Sequence, residues 1–278
     1  LSVRDEALEY LARVGELPDE EVDLAGTALR LAAAADPPDS LAPYLDHLDD
    51  IAASVAEVAA VRDPADLADR ISVLVSVLAD RFGYGGDRET YDDLRNASLL
   101  RVIDRRRGLP VALGILYMHA ARANGWPAEG LNFPGHFLIR LDAPGERAVV
   151  DPFDRGAVRT APELRELLKA SAGEGAELSS DHYAAVGNRD VLLRLQNNLK
   201  IRHMQAQRFE AAAEVLDTML LMAPQTAALW RESGIVNAYL GNLTRAVRAL
   251  ETYLSFGAAD AAAAEARQLL QRLRSQIN

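Results

Sequence analysis

The chain has 278 residues, 49% hydrophobic and 26% charged, enough for a sizeable core in one large domain or two ordinary ones. Its net charge of -11 is uneven: residues 1–95 hold 22 acids against 8 bases, 96–185 hold 11 against 11, and 186–278 hold 8 against 11. The acidic first third and the lack of a concentrated basic stripe exclude nucleic acid as a partner, and the absence of cysteine excludes disulfides, thiolate metal sites and cysteine catalysis.

The first third reads as helices. One pattern runs from about Glu21 to Ala35 and stops at Asp36-Pro37-Pro38-Asp39, which cannot continue a helix. Ser40 can cap a second helix to about Ala60, with Leu41, Leu45, Leu48, Ile51 and Val55 on one face. Asp63 as N-cap and Pro64 at the first helical position open a third, striped by Leu67, Ile71, Leu74, Leu78 and Phe82, which Gly83-Tyr84-Gly85-Gly86 ends.

A short helix from about Asn96 to Arg105 leads into Arg105-Arg106-Arg107-Gly108-Leu109-Pro110. From Pro110 the apolar residues Val111, Leu113, Ile115, Leu116, Tyr117 and Met118 point in every direction, and Gly125 stands where a C-cap belongs, so this helix is expected to be buried all round. Strand-like segments follow at Glu129–Phe133, His136–Leu141 and Ala148–Asp151, parted by Pro134-Gly135 and Ala143-Pro144-Gly145. A buried helix followed by short strands predicts an α+β domain with that helix packed on an antiparallel sheet.

Residues 171–181 are Gly- and Ser-rich without periodicity, which places a domain boundary there or slightly later; the expected domains are 1–184, with a helical N-terminal extension and a core at about 96–160, and 185–278. Beyond it a helical repeat shows itself. Ala212 recurs as Ala246, and Leu216 as Leu250, at the tetratricopeptide period of about 34 residues. Phe209 and Leu243 start the second helix of each unit, Trp230 and Gly234 take the early large-small positions of the second, and the units run from Asp190 to Pro224 and from Gln225 to Ala258. A last helix, Ala259 to Ile277, caps the array. Trp230 and Tyr239 are expected in the core.

Five segments in this order, Asn96 to Leu100, Arg106 to Val111, Pro134-Gly135-His136-Phe137-Leu138, Asp151-Pro152-Phe153 and Asn197-Asn198-Leu199-Lys200, resemble the bacterial SirB-one family. The resemblance covers most of the chain. It implies a transglutaminase-like, papain-like fold joined to all-α tetratricopeptide repeats, with a catalytic cysteine at the start of a buried helix, a histidine on a following strand and an aspartate on the next. His136 and Asp151 match the histidine and aspartate. Counting back from Gly125, the glycine that ends the buried helix, to the position where the resemblance places the cysteine lands on Pro110. Proline supplies neither a nucleophile nor a backbone N–H for an anion, and it is also the residue most at home in a first helical turn.

For His136 and Asp151 the readings are a hydrogen-bonded pair tying two strands together, a ligand-binding pair, or proton transfer with another nucleophile. Ser98 and Tyr117 are the nearest hydroxyls, but neither lies at the helix start. Arg105, Arg106 and Arg107 either complement a helix dipole in water or hold a carboxylate or phosphate, which makes Arg106, Arg107, His136 and Asp151 the candidate ligand-binding residues. No metal is expected, since His119 and His182 are isolated and one histidine with one aspartate is too few ligands; no cofactor is expected either. The longest apolar run, Val111 to Ala121, is too short to span a membrane, and the stretch from Leu1 to Glu20 holds acids rather than a basic-then-apolar leader, so a cytoplasmic chain is expected. The function expected is a non-catalytic binding or scaffolding protein, with a protein or peptide partner on the repeats and a regulatory role as a further reading. The rival is a hydrolase or acyltransferase that uses His136 and Asp151 with water or a non-cysteine nucleophile.

Overall fold

Helix α1 (Val3–Val14) opens the chain, with Ser2 and Asp5 forming a reciprocal capping box and Ala7, Leu11 and Val14 making its buried stripe. In the computed structural model, which describes residues 1–257 and 259–277, α1 groups with the end of the chain. One unit comprises Leu1–Leu17 and Gln196–Asn278, the other Pro18–Leu195. The sequence assigns these first residues to the preceding domain and draws the boundary at 184/185. The observed division falls inside a helix, which carries no Gly, Pro or Ser signal to mark it.

In the unit Pro18–Leu195, α2 (Leu24–Ala35) and α3 (Ala42–Arg62) correspond to the first two expected helices. Asp63 does not begin the third. It ends α3 in the left-handed region at φ 49°, and α4 (Leu67–Val75) starts only after Asp66, whose side chain caps Asp69 N–H. The chain then widens into a π-helical turn over Ser76–Arg81. Two short strands, β1 (Gly85–Gly86) and β2 (Arg107–Gly108), pair in parallel on either side of α5 (Leu99–Arg105). Asn96 lies in a 3₁₀ turn ahead of α5, not in the helix itself.

Helix α6 (Pro110–Ala123) is the expected buried helix, with 11 of its 14 residues buried. The strands β3 (Ala128–Leu131), β4 (Ile139–Ala143), β5 (Glu146–Asp151), β6 (Ala157–Val158) and β7 (Ala185–Val186) form one sheet in the order β6-β5-β4-β3-β7, every neighbouring pair antiparallel. Alternation sorts its faces. Ile139, paired with Val150, belongs to the α6 side, where Phe137 rests on Gly114 and Gly130. Leu131, Leu138 and Val149 pack on the other side against Leu164 and Leu168 of α7 (Ala161–Ala172). The sheet thus lies between α6 and α7, the α+β arrangement expected.

The other unit takes up α8 (Asn188–Gln205) from Gln196 onward and continues with α9 (Phe209–Met222), α10 (Ala227–Tyr239), α11 (Leu243–Ser255) and α12 (Ala261–Ile277). Phe209 and Leu243 do start the second helices, and Ala212, Ala246, Leu216 and Leu250 are each fully buried. Gly234 faces Leu250, where a Cβ would come within 2.6 Å of Cγ, so the small position of the repeat is set by helix proximity. Trp230 packs on the cluster of Leu250, Tyr253 and Ala263 and donates to Pro224 O at 2.8 Å. Tyr239, expected in the core, is 71% exposed and lies against Phe209 with ring centroids 4.3 Å apart. Ala258, the expected end of the second repeat, and the terminal Asn278 lie outside the described residues.

Candidate functional site

Asp151 is the last residue of β5, where the chain turns through Pro152–Asp154, and its carboxylate bends back to cap that turn. Oδ1 accepts from Phe153 N–H at 3.1 Å and Asp154 N–H at 3.3 Å. The same oxygen lies 2.9 Å from His136 Nε2, and Oδ2 accepts from Arg159 Nε at 3.1 Å and Nη2 at 2.8 Å. Asp151 is 1% exposed. Burial favours its neutral form, but the hydrogen bond and charge of His136, then those of Arg159, outweigh it and hold the carboxyl below its usual value.

An ionised carboxylate only accepts, so His136 Nε2 carries a proton towards Oδ1, and Nδ1 is the ring nitrogen turned away from that carboxylate. The ring meets Phe153 edge-on, with centroids 5.9 Å apart. His136 sits in the bend before β4, not on the strand the alternation suggests, because Gly135 turns the chain at φ 72°. Arg194 fixes this bend by donating to Phe133 O at 2.8 Å and His136 O at 3.0 Å, with its guanidinium over the Phe137 ring.

Pro110 takes the first position of α6, preceded by Leu109, whose N–H donates to Asn96 O at 2.9 Å. One turn further, roughly 6 Å along the axis, Gly114 meets the Phe137 ring beside His136. Ser98 precedes α5, and the Tyr117 hydroxyl is buried without a hydrogen-bond partner, its pKa pushed beyond the usual phenol range by burial. Neither takes the place of a nucleophile at the start of α6.

The three consecutive arginines do not form one clamp. Arg105 is structural: it donates to Asn96 Oδ1 at 2.9 Å and to Asp87 Oδ2 at 2.9 Å, and Thr90 Oγ1 donates to the same Asp87 oxygen at 2.6 Å. Asn96 and Asp87 are buried, and these bonds outweigh desolvation to hold Asp87 far below the usual carboxylate range. Arg106, in the left-handed region at φ 59°, turns to Tyr84 and His47, with Nη1 2.5 Å from the Tyr84 hydroxyl, and so does not join His136. Arg107 is exposed and pairs with Glu89. The run ends a helix, opens a strand and crosses between them, so successive side chains point apart.

The sequence reading missed Arg159 and Arg194. Both are lone arginines in unremarkable local sequence, and only the fold brings them to Asp151 and to the His136 bend. His119 Nε2 lies 3.0 Å from Leu48 O, and His182 Nδ1 accepts from Ser179 N–H at 3.1 Å. Among the described residues no group of three or more His, Cys, Asp or Glu could hold a metal ion, and no helix is long and apolar enough to cross a membrane.

Comparison with known proteins agrees with this architecture. A family model described as "Transglutaminase-like superfamily" matches residues 42–197, and one described as "Tetratricopeptide repeat" matches 199–278. A UPF0162 protein of Xylella fastidiosa is 34% identical over 182 residues, covering 64% of each chain, so the match spans a little under two thirds of that relative's length. A UPF0162 protein of Pseudomonas aeruginosa is 31% identical over 212 residues, 76% of each chain. Human F-box only protein 21 is 31% identical over 164 residues, 55% of this chain but only 25% of that protein. No solved structure matches the chain at a significant level. The helix-on-sheet unit, the matched segment and the bacterial relatives together make this chain a member of the transglutaminase-like superfamily, in its UPF0162 branch, with tetratricopeptide repeats following.

Proposed function

We propose that the transglutaminase-like unit binds its ligand without covalent chemistry and that the repeats hold a protein or peptide partner, making the chain a scaffold with a regulatory role in the cytoplasm. One observation carries the first half: a proline stands at the head of α6 in a chain with no cysteine, while His136 and Asp151 still face each other. A thiolate at a helix start is stabilised by the dipole and free N–H groups, and proline offers neither sulfur nor N–H there.

Tetratricopeptide arrays generally mediate protein–protein contacts, and two features support that role here. Ile201 on α8 and Ile235 on α10, one repeat period apart, are 49% and 42% exposed, and Tyr239 adds an exposed aromatic to α10. The contact of His136 Nε2 with Asp151 favours the rival reading, in which the other ring nitrogen, Nδ1, activates water as a general base. One assay separates the two. The full chain, incubated with a glutamine-containing peptide and an amine donor, is expected to give neither crosslinked nor hydrolysed product by mass spectrometry. Turnover abolished by His136→Ala in a folded protein would overturn the binding reading in favour of the rival. Ile201→Glu with Ile235→Glu is expected to abolish capture of a partner that the unaltered chain retains; unchanged capture would remove the repeats from the proposal.

A further inference from the structure

Three arginines, Arg88, Arg107 and Arg155, line a single groove of about 370 Å³ in the transglutaminase-like unit, together with Phe153, the glycines of β1 and two acids, Glu89 and Asp154. Their gathering runs against the local charge, because residues 18–195 carry 30 Asp and Glu against 19 Arg and Lys. Only Arg107 of the candidate ligand-binding residues takes part.

The groove is fixed by packing. Phe153 lies flat enough against Gly86 that a Cβ there would come within 2.5 Å of the ring, and Tyr91 meets it edge-on at 5.8 Å. The Arg88 guanidinium stands over the same ring at 5.5 Å. Arg155 is held at φ 54° and donates to Ala79 O at 2.9 Å, a carbonyl of the π-helical turn. Each arginine meanwhile rests on a carboxylate: Arg88 on half-buried Asp154 at 2.8 Å, which Arg159 also holds at 2.7 Å, Arg107 on Glu89 at 3.3 Å and Arg155 on Asp80 at 3.0 Å. Glu89 and Asp80 side chains are 82% and 65% exposed. Solvent-exposed pairs of this kind contribute little, so a ligand oxygen can replace Glu89 on Arg107 or Asp80 on Arg155 at small cost. Guanidinium groups favour planar or tetrahedral oxyanions, which they bind through two N–H groups at once.

We infer that this groove is an oxyanion site for a compact ligand bearing carboxylate or phosphate groups. It rests on the reading of this unit as a non-covalent binding module and names the ligand class for it. The full chain is titrated calorimetrically at constant ionic strength with pyrophosphate in one arm and citrate in the other, chloride serving as the control. Saturable binding of one molecule per chain is expected in at least one arm, and the tighter arm identifies the headgroup. Arg88→Gln and Arg107→Gln, both at exposed positions, are each expected to weaken it roughly tenfold, as the loss of a charge-assisted pair does. Arg274→Gln on α12 is expected to change nothing. No saturable binding in either arm, or binding indifferent to the Arg88→Gln, Arg107→Gln double variant, overturns the inference and leaves the non-covalent reading intact. Turnover of an amide substrate overturns that reading without touching the oxyanion titration.

Discussion

Arg159 holds the oxygen of Asp151 that His136 leaves free: its Nε and Nη2 both reach Oδ2, at 3.1 and 2.8 Å, while the imidazole bonds Oδ1. A carboxylate this buried is retained in its charged form only by such partners. Arg159→Met is therefore expected to destabilise the fold by about 3 kcal/mol, the order seen when one member of a buried pair is removed. Urea unfolding at neutral pH measures it.

The same carboxylate gives an acid-side signature. Its folded pKa lies below the ordinary 3.8, so the unfolded chain binds its proton first as pH falls. The stability it contributes is present in full above the unfolded value and is lost as pH falls through the folded one. Asp151→Asn should flatten the stability profile in that acid window; a profile of unchanged slope would show that the carboxylate is not held ionised by folding.

Gly114 is fixed by contact, since a Cβ would lie 2.5 Å from the Phe137 ring. Gly114→Ala raises helix propensity yet is expected to cost ~1–3 kcal/mol through overpacking. Thermal unfolding decides the sign.

Pro110→Cys tests whether the head of α6 still addresses His136. The thiol is expected to titrate below its usual ~8.5 through the helix N-terminus and the imidazole. Its alkylation rate against pH should then shift upward when His136→Gln is added. A profile indifferent to that second change would separate Pro110 from the imidazole and remove the ground for calling it the nucleophile position.

His47 Nε2 lies 2.8 Å from the Tyr84 hydroxyl and also contacts Arg106; the imidazole meets Phe82 edge-on at 5.2 Å, and the Arg106 guanidinium stands over the Phe82 and Tyr84 rings. Burial first, then the Arg106 charge, lowers its pKa below 6.5, with Asp50 opposing. The native state therefore binds fewer protons than the unfolded chain, and stability is expected to fall as pH drops below about 6.5 towards the folded value. His47→Gln should remove that dependence in denaturation series at pH 5.5 and 7.5 (values bracketing the ordinary histidine range, roughly 5 to 8).

Local patterning is enough for the buried α6, its neighbouring strands and the helical repeat, because periodicity and breakers record which faces are covered. His136 and Asp151 are marked by the resemblance of the short motifs in which they stand, not by patterning. Alternation runs past the true start of β4, since apolar residues in a bend look like those in a strand until a turn at Gly135 is known. Asp63 reads as an N-cap because the same residue type can also close a helix in the left-handed region. What the sequence determined by itself was therefore the buried helix with its first strands, the helical repeat and the missing thiol, with the histidine-aspartate pair marked by resemblance, while α1, α7, β6 and β7 went unread. Only the tertiary structure decided that Arg159 and Arg194 serve that pair, that Arg105, Arg106 and Arg107 part company, and that α1 packs with the C-terminal helices. Those outcomes depend on contacts between residues far apart in the chain, where direction and distance count and neighbouring letters carry no record of them.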